Sequence, residues 1–291
     1  MIKEILISEK CALCPGSERA ISKTIESLNS KKNVVLLKEI LHNQNVIKNL
    51  QNKGVKIKEN LSEINKNDFV IVRGHGEPLS TFEYFKKNKI DYIDCTCPNV
   101  KLINLLVKEK TEDNYKIILI GKYGYNGGKM HPEVEATAGW CSTQPIFIEN
   151  EEEIKNIDLS FEKYYLVCQT TFDKEKVEKF IYKIKELMTQ ENKIFDYKNT
   201  TCNAQRVIND CSQKLAKNVD AMIVIGGKNS SNSKELLNNV SRFTKSFFIQ
   251  EPEEVLEIKE LKNYSKIGIT AGASTLKEDV IKTKELLESI K

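Results

Sequence analysis

Eight cysteines and three histidines are the residues of this chain best suited to chemistry, and most of them stand in short polar clusters. Cys11-x-x-Cys14, Cys95-x-Cys97 and the solitary Cys202 are far apart in sequence, so a centre shared by them must be gathered from distant loops. Thiolates so arranged bind zinc or iron–sulfur clusters. Structural zinc usually pairs two C-x-x-C knuckles, and only one occurs here; a larger, softer centre suits the spacing better, but spacing alone leaves both open. Cys141 and Cys211 read as buried, inert thiols. The histidines all fall in loop motifs, His42 in LHN, His75 in GHG and His131 in HPE. Imidazole N–H groups donate to phosphate oxygens, and the NSSNS run at 229–233 adds hydroxyl, amide and backbone donors while also suiting a helix N-cap.

The elements that must position these groups are short apolar runs of strand length: ILIS (5–8), NVVLL (33–37), DFVIV (68–72), KIILI (116–120), YYLV (164–167), AMIVI (221–225) and KIGIT (266–270). Helical patterns separate them, the clearest at 174–188, with Asp173 as N-cap and Val177, Phe180, Ile181, Ile184, Leu187 and Met188 on one face. Strands apolar on both faces, alternating with helices, predict an α/β fold of mostly parallel sheets. Each polar cluster follows a strand: GHG after DFVIV, DCTCP (94–98) after YI, GKYGYNGGKMHPE (121–133) after KIILI, CQTT (168–171) after YYLV, GGKNSSNS (226–233) after AMIVI, and AGAST (271–275) after KIGIT. Ligands bind at such carboxyl ends, and the following helix N-termini attract anions. The density of βα units predicts three small domains around one centre, with borders at 1–95, 96–198 and 199–291.

Composition narrows the function classes. A net charge of +4, four arginines (Arg19, Arg73, Arg206, Arg242) and lysines interspersed with glutamates describe a solvated surface and not a nucleic-acid footprint. No apolar run approaches the ~20 residues of a membrane helix, and the N-terminus lacks the pattern of a signal peptide. A cytoplasmic location is expected, where thiols stay reduced and serve metals or catalysis before disulfides.

Nine motifs then occur in order over the whole chain: CPGSERAI (14–21), EILHN (39–43), GHG (74–76), D-x-T-C-P (94–98), HPEVE (131–135), QTT (169–171), TTCNA (200–204), KNSSNS (228–233) and TAGAST (270–275). Together they resemble the IspH/LytB family of reductases, which convert 4-hydroxy-3-methylbut-2-enyl diphosphate into isopentenyl and dimethylallyl diphosphate. The resemblance implies a trefoil of three α/β domains around a [4Fe–4S] cluster. Cys14, Cys97 and Cys202 would hold it, with one iron not ligated by cysteine. It also implies diphosphate contacts from His42, His75, His131, Ser230, Ser231, Asn232 and Ser274, with Glu133 as the proton-delivering acid, assisted by His131, and Thr170 orienting the hydroxyl end. No nicotinamide or flavin fingerprint follows a strand, so a ferredoxin or flavodoxin is the expected electron donor.

The chain departs from the family pattern at Ser17, where an apolar residue is usual, at Gln205, where a threonine is common, and in a longer loop before His131. Cys11, Cys95 and Cys168 are surplus thiols beside the motifs. These departures keep two alternatives in view: a paralogue using the same cluster for another reductive or sulfur-transfer reaction, and a non-catalytic cluster-based redox sensor.

Overall fold

A computed structural model describes residues 2–40, 43–228 and 230–290, with the side chains of Gln44, Asn45, Tyr125, Asn126 and Ser231 left aside. Strands and helices alternate throughout. The first third runs β1 (Glu4–Ile7), α1 (Pro15–Ser30), β2 (Val34–Leu37), α2 (Gln44–Asn52), β3 (Lys56–Lys58), β4 (Phe69–Val72), α3 (Leu79–Asn88) and β5 (Asp91–Asp94). There follow α4 (Pro98–Glu112), β6 (Lys116–Ile120), α5 (Tyr125–Gly128), α6 (Pro132–Ala138), β7 (Ile146–Ile148), β8 (Lys163–Cys168), α7 (Lys174–Gln190) and β9 (Ile194–Tyr197). The last part is α8 (Ala204–Ala216), β10 (Ala221–Ile225), α9 (Ser231–Ser241), β11 (Lys245–Ile249), β12 (Lys266–Ala271) and α10 (Lys277–Ser289).

Among the described residues the strands form three four-stranded sheets, ordered β1-β12-β10-β11, β3-β2-β4-β5 and β7-β6-β8-β9. Adjacent strands run parallel, as in the register of β10 on β12, where Ile223 lies opposite Ile269. The α/β class and the three parallel sheets agree with expectation. The two inner strands of each sheet are the apolar runs of the sequence, buried along nearly their whole length. Such strands need cover on both faces. For the sheet of β6 and β8, α7 covers one face through Val177, Phe180, Ile184 and Met188, while Ile103 and Val107 of α4 and Val134 of α6 cover the other. Each fully buried aliphatic or aromatic side chain of this kind contributes about 1.5–3 kcal/mol. Asp173 caps α7 by accepting from the Lys176 N–H, as the sequence predicts.

Residues 4–7 pair with β12, so the first strand extends the sheet of the last third of the chain and buries Ile2 against it. By compactness the chain divides into two units. One comprises Met1–Asn29, Glu39–Lys56 and Asn203–Lys291, with the sheet of β1, β12, β10 and β11; the other comprises Ser30–Lys38 and Ile57–Cys202, with the remaining two sheets. Among the described residues no helix is long and apolar enough to cross a membrane.

Candidate functional site

In the second unit, the sequence His131-Pro132-Glu133 starts α6 in a way that aims its polar groups. Pro132 occupies the first turn, where its fixed φ suits a helix start, and His131 is the N-cap, its Nδ1 accepting from the Glu133 N–H at 3.2 Å. With Nδ1 accepting, a neutral His131 carries its proton on Nε2. The helix seats this close to the end of β6 because residue 121 is glycine; a Cβ there would lie 2.6 Å from Val134 Cγ2. Glu133 is only 2% exposed. The Thr170 N–H donates to its Oε1 at 2.5 Å, and the Thr170 hydroxyl to its Oε2 at 2.8 Å. Burial outweighs these two bonds and pushes the carboxyl up to about 7. Protonated and ionised forms therefore coexist near neutrality, the condition for moving a proton.

Thr170 stands just past β8, where Gln169 fixes the chain. The Gln169 Oε1 accepts from the Lys122 N–H at 3.0 Å, and its Nε2 donates to Thr171 Oγ1 at 2.8 Å. The Thr170 carbonyl accepts from the Cys202 N–H at 2.7 Å. Glu133, Thr170 and Cys202 are thus consecutive links of one hydrogen-bonded run. Thr200 supports it by accepting from the Cys168 N–H at 2.8 Å and donating to the Cys168 carbonyl at 2.5 Å. Gln169 stood in the QTT motif of the sequence but was given no role there; its position directly after a buried strand was the available signal.

His75 and Cys97 occupy neighbouring turns of the same unit. Gly76 has φ +79°, a conformation that favours glycine, and a Cβ there would come within 3.2 Å of Thr96 Cγ2. The Cys97 N–H donates to the Gly74 carbonyl at 2.9 Å. Asp94 shapes the approach to Cys97, accepting from the Thr96 N–H at 3.0 Å and from Lys101 Nζ at 2.7 Å. Burial works to raise the Asp94 carboxyl, but the Lys101 and Thr96 hydrogen bonds prevail and hold it below the ordinary range. Cys97 is the N-cap of α4, followed by Pro98. The rings of His75 and His131 meet edge to face, centroids 5.5 Å apart.

The first unit carries the other expected groups. Cys14 directly precedes α1; its thiol lies 3.3 Å from the Ser17 hydroxyl, which gives that departure from the family pattern a partner. Ser230 caps α9 by accepting from the Ser233 N–H at 3.3 Å, and the two hydroxyls bond at 3.1 Å. Ser233 fits only because residues 226 and 272 are glycines, since a Cβ on either would lie 2.4 Å from its Oγ. The buried Asn43, which stood in the EILHN motif without an assigned role, donates to the Ser274 carbonyl at 2.9 Å. Asn232 and Ser274 are half-buried. His42 lies outside the described residues, as does the side chain of Ser231, whose backbone opens α9. Cys14, Ser230, Asn232 and Ser274 therefore belong to one unit, and Cys97, Cys202, His75, His131, Glu133 and Thr170 to the other.

The cysteines separate into two kinds. Cys168 is fully buried in the apolar core, its thiol pushed up to about 12 by burial, and Cys141 is likewise pushed up to about 12. Cys95 is buried, and burial raises the thiol of Cys11. Cys11, Cys141 and Cys211 are half-buried like Cys14, Cys97 and Cys202, which corrects the expectation of buried thiols at 141 and 211. What sets Cys14, Cys97 and Cys202 apart is that each lies within two residues before a helix start, where backbone N–H groups and the helix dipole favour anionic ligands. Three thiols at helix starts fit the donor chemistry of an iron–sulfur cluster. Among the described residues, no three His, Cys, Asp or Glu side chains are grouped to hold a single metal ion.

The described residues make an α/β protein with half-buried thiols at helix starts, a serine-capped helix end and a buried acid paired with a hydroxyl. A family model described as LytB protein matches residues 5–288. The chain belongs to the LytB family, a family of iron–sulfur enzymes. It is 37% identical to the 4-hydroxy-3-methylbut-2-enyl diphosphate reductase of Caldanaerobacter subterraneus subsp. tengcongensis, over 99% of this chain and 96% of that one. The reductase of the same name from Clostridioides difficile is 33% identical over 93% and 94% of the two chains. A solved structure of (E)-4-hydroxy-3-methyl-but-2-enyl diphosphate reductase, described as the terminal enzyme of the non-mevalonate pathway, superposes with a TM-score of 0.80 at 32% identity, covering 99% of this chain and all of that one. The Plasmodium falciparum reductase gives 0.79 at 28% identity, covering 99% and 88%. The resemblance carried by the nine ordered motifs is borne out.

Proposed function

We propose that this chain reduces 4-hydroxy-3-methylbut-2-enyl diphosphate to isopentenyl and dimethylallyl diphosphate, replacing the allylic C–O bond by C–H and releasing water with the uptake of two electrons and two protons. The observation that carries the reading is the buried Glu133 held by both the N–H and the hydroxyl of Thr170. Cys14, Cys97 and Cys202 would hold a [4Fe–4S] cluster with one iron free of cysteine. When bound, the cluster supplies the electrons and a Lewis-acidic iron.

The chain's own residues account for the rest. An allylic hydroxide is a poor leaving group, and a proton delivered to its oxygen lets it depart as water. Glu133, poised at about 7, has such a proton to give. The Thr170 hydroxyl donates to Glu133 while its lone pairs remain able to accept, so it can orient the substrate's hydroxyl and relay the proton. His131, with its Nδ1 engaged by the Glu133 N–H, offers Nε2–H as a donor. His42, His75, His131, Ser230, Ser231, Asn232 and Ser274 are assigned to the diphosphate, whose dispersed charge is met by many directed donors. A ferredoxin or flavodoxin would supply electrons in the cytoplasm, and the division at 1–95, 96–198 and 199–291 is kept as the domain proposal.

The test is anaerobic turnover by the cluster-loaded, chemically reduced protein. Both isomeric diphosphates should form at an ordinary enzyme rate, about 1–10³ s⁻¹. A fully loaded and reduced protein that leaves the allylic diphosphate intact would refute the assignment.

A further inference from the structure

Four charged side chains beside the two histidines have no part in the chemistry above. Arg73 and Glu77 bracket the Gly74-His75-Gly76 turn, are both buried, and meet at 2.9 Å (Nε to Oε1) in an orientation too oblique for a hydrogen bond. Lys38 Nζ lies 3.5 Å from Glu77 and 3.7 Å from Glu135, which sits on α6 two residues beyond Glu133. Lys38 thus bridges the turn that carries His75 to the helix that carries Glu133 and is capped by His131.

The backbone of Lys38 gives a second, independent observation. Its φ is +64°, in the left-handed region, which costs a residue with a Cβ about 1–2 kcal/mol. Glycine would occupy the position without that cost. The side chain that stands there reaches two carboxylates. Neutral contacts fasten the same two segments. Trp140 Nε1 donates to the Glu77 carbonyl at 3.0 Å, the Leu79 N–H donates to the Gly139 carbonyl at 3.2 Å, and a Cβ on Gly139 would lie 2.4 Å from that of Pro78.

We propose that Lys38 and Glu77 are positioning residues: the ion bridge that Lys38 makes from Glu77 to Glu135 of α6 fixes the turn of His75 against that helix, so that the His75–His131 pair meets a diphosphate as one rigid donor unit. The proposal rests on the diphosphate reading of the preceding section. Neither residue touches the substrate; each acts through the imidazoles.

The experiment compares Lys38→Met, Lys38→Gly and Lys38→Arg in the cluster-loaded enzyme. Methionine and glycine should raise KM about tenfold, equivalent to ~1.4 kcal/mol, with kcat within about twofold, and arginine should restore KM. The imidazole ¹⁵N resonances of His75 and His131 should move together in the methionine and glycine variants. Because glycine relieves the left-handed strain, its thermal midpoint should be no lower than that of the methionine variant, which separates loss of the bridge from loss of fold. Unmoved imidazole signals in folded Lys38→Met, or an equal fall in kcat and kcat/KM with unchanged KM, would overturn the proposal. Should the wild type not turn over the allylic diphosphate, titration with inorganic pyrophosphate takes the place of KM. A tenfold loss of pyrophosphate affinity with shifted imidazoles upholds the clamp even as the substrate assignment falls, and an unchanged affinity rejects it.

Discussion

Glu133 and Glu77 are two carboxyls of one compact unit, each only 2% exposed, yet the protein treats their charge differently. In both, burial raises the carboxyl above its ordinary value. Glu77 is answered by cations, Arg73 at 2.9 Å and Lys38 at 3.5 Å, so its charge is matched within an ion network. Glu133 is answered by an amide and a hydroxyl of Thr170, which help its anion without fixing it. The lesson is that burial alone does not mark a catalytic acid. For the acid role proposed for Glu133, burial balanced by neutral donors leaves the proton exchangeable near pH 7.

The sharpest way to break this contrast is Glu133→Gln, which keeps the shape and removes the proton. Turnover should fall by about 10²–10⁴-fold while the diphosphate still binds within about twofold of wild type. Single-turnover kinetics and calorimetry measure the two quantities, and an equal loss in both would make Glu133 a binding group. The next largest effect is on stability. Because the folded carboxyl sits near 7 and the unfolded one near 4.5, folding is favoured by the bound proton below the lower value, and this contribution is lost as pH rises through the higher one. The loss is roughly 3 kcal/mol. Denaturant titrations across this range should show it in the wild type and a flatter profile in Glu133→Gln.

Thr170→Val tests the neutral donors. Removing the hydroxyl takes away one bond that lowers the Glu133 carboxyl, so its midpoint, followed by infrared titration, should move upward. Turnover should fall about tenfold, or ~1.4 kcal/mol. The smallest effect belongs to the other unit, where Ser230→Ala removes the cap of α9. It should cost about 1 kcal/mol of stability, read from the thermal midpoint, and weaken binding of the diphosphate without altering the protonation of Glu133.

Much of this was legible in the sequence, for a reason the sheets make plain. The six strands that occupy inner positions were all apparent as apolar runs, because a strand covered on both faces must be apolar throughout. The strands that escaped a full reading, β3, β5, β7, β9 and β11, are all edges. KIK, DYID and IFDY are half-exposed and mix charge with apolar residues, so no run announces them. The pairing of β1 with β12 joins the two ends of the chain and has no local signature. Within the site, Glu133, Thr170 and the histidines stood out by their place in ordered motifs. Lys38 and Glu77 did not, since an ion bridge between separate segments leaves no spacing to read. The longer loop before His131 also gains a physical account, with Tyr123 donating to Glu153 at 2.5 Å and the Gly124 N–H to Glu149 at 3.0 Å. Cys168 and Cys95, two of the surplus thiols beside the motifs, are buried.

The most direct test of the central claim is the pH dependence of kcat for the reduced, cluster-loaded enzyme on the allylic diphosphate, beside that of Glu133→Gln. The account predicts formation of both isomeric products by the wild type, with a rate that declines as pH rises through about 7, and a far slower, pH-independent rate in the variant. A Glu133→Gln enzyme that matches the wild type in rate and pH profile would contradict it.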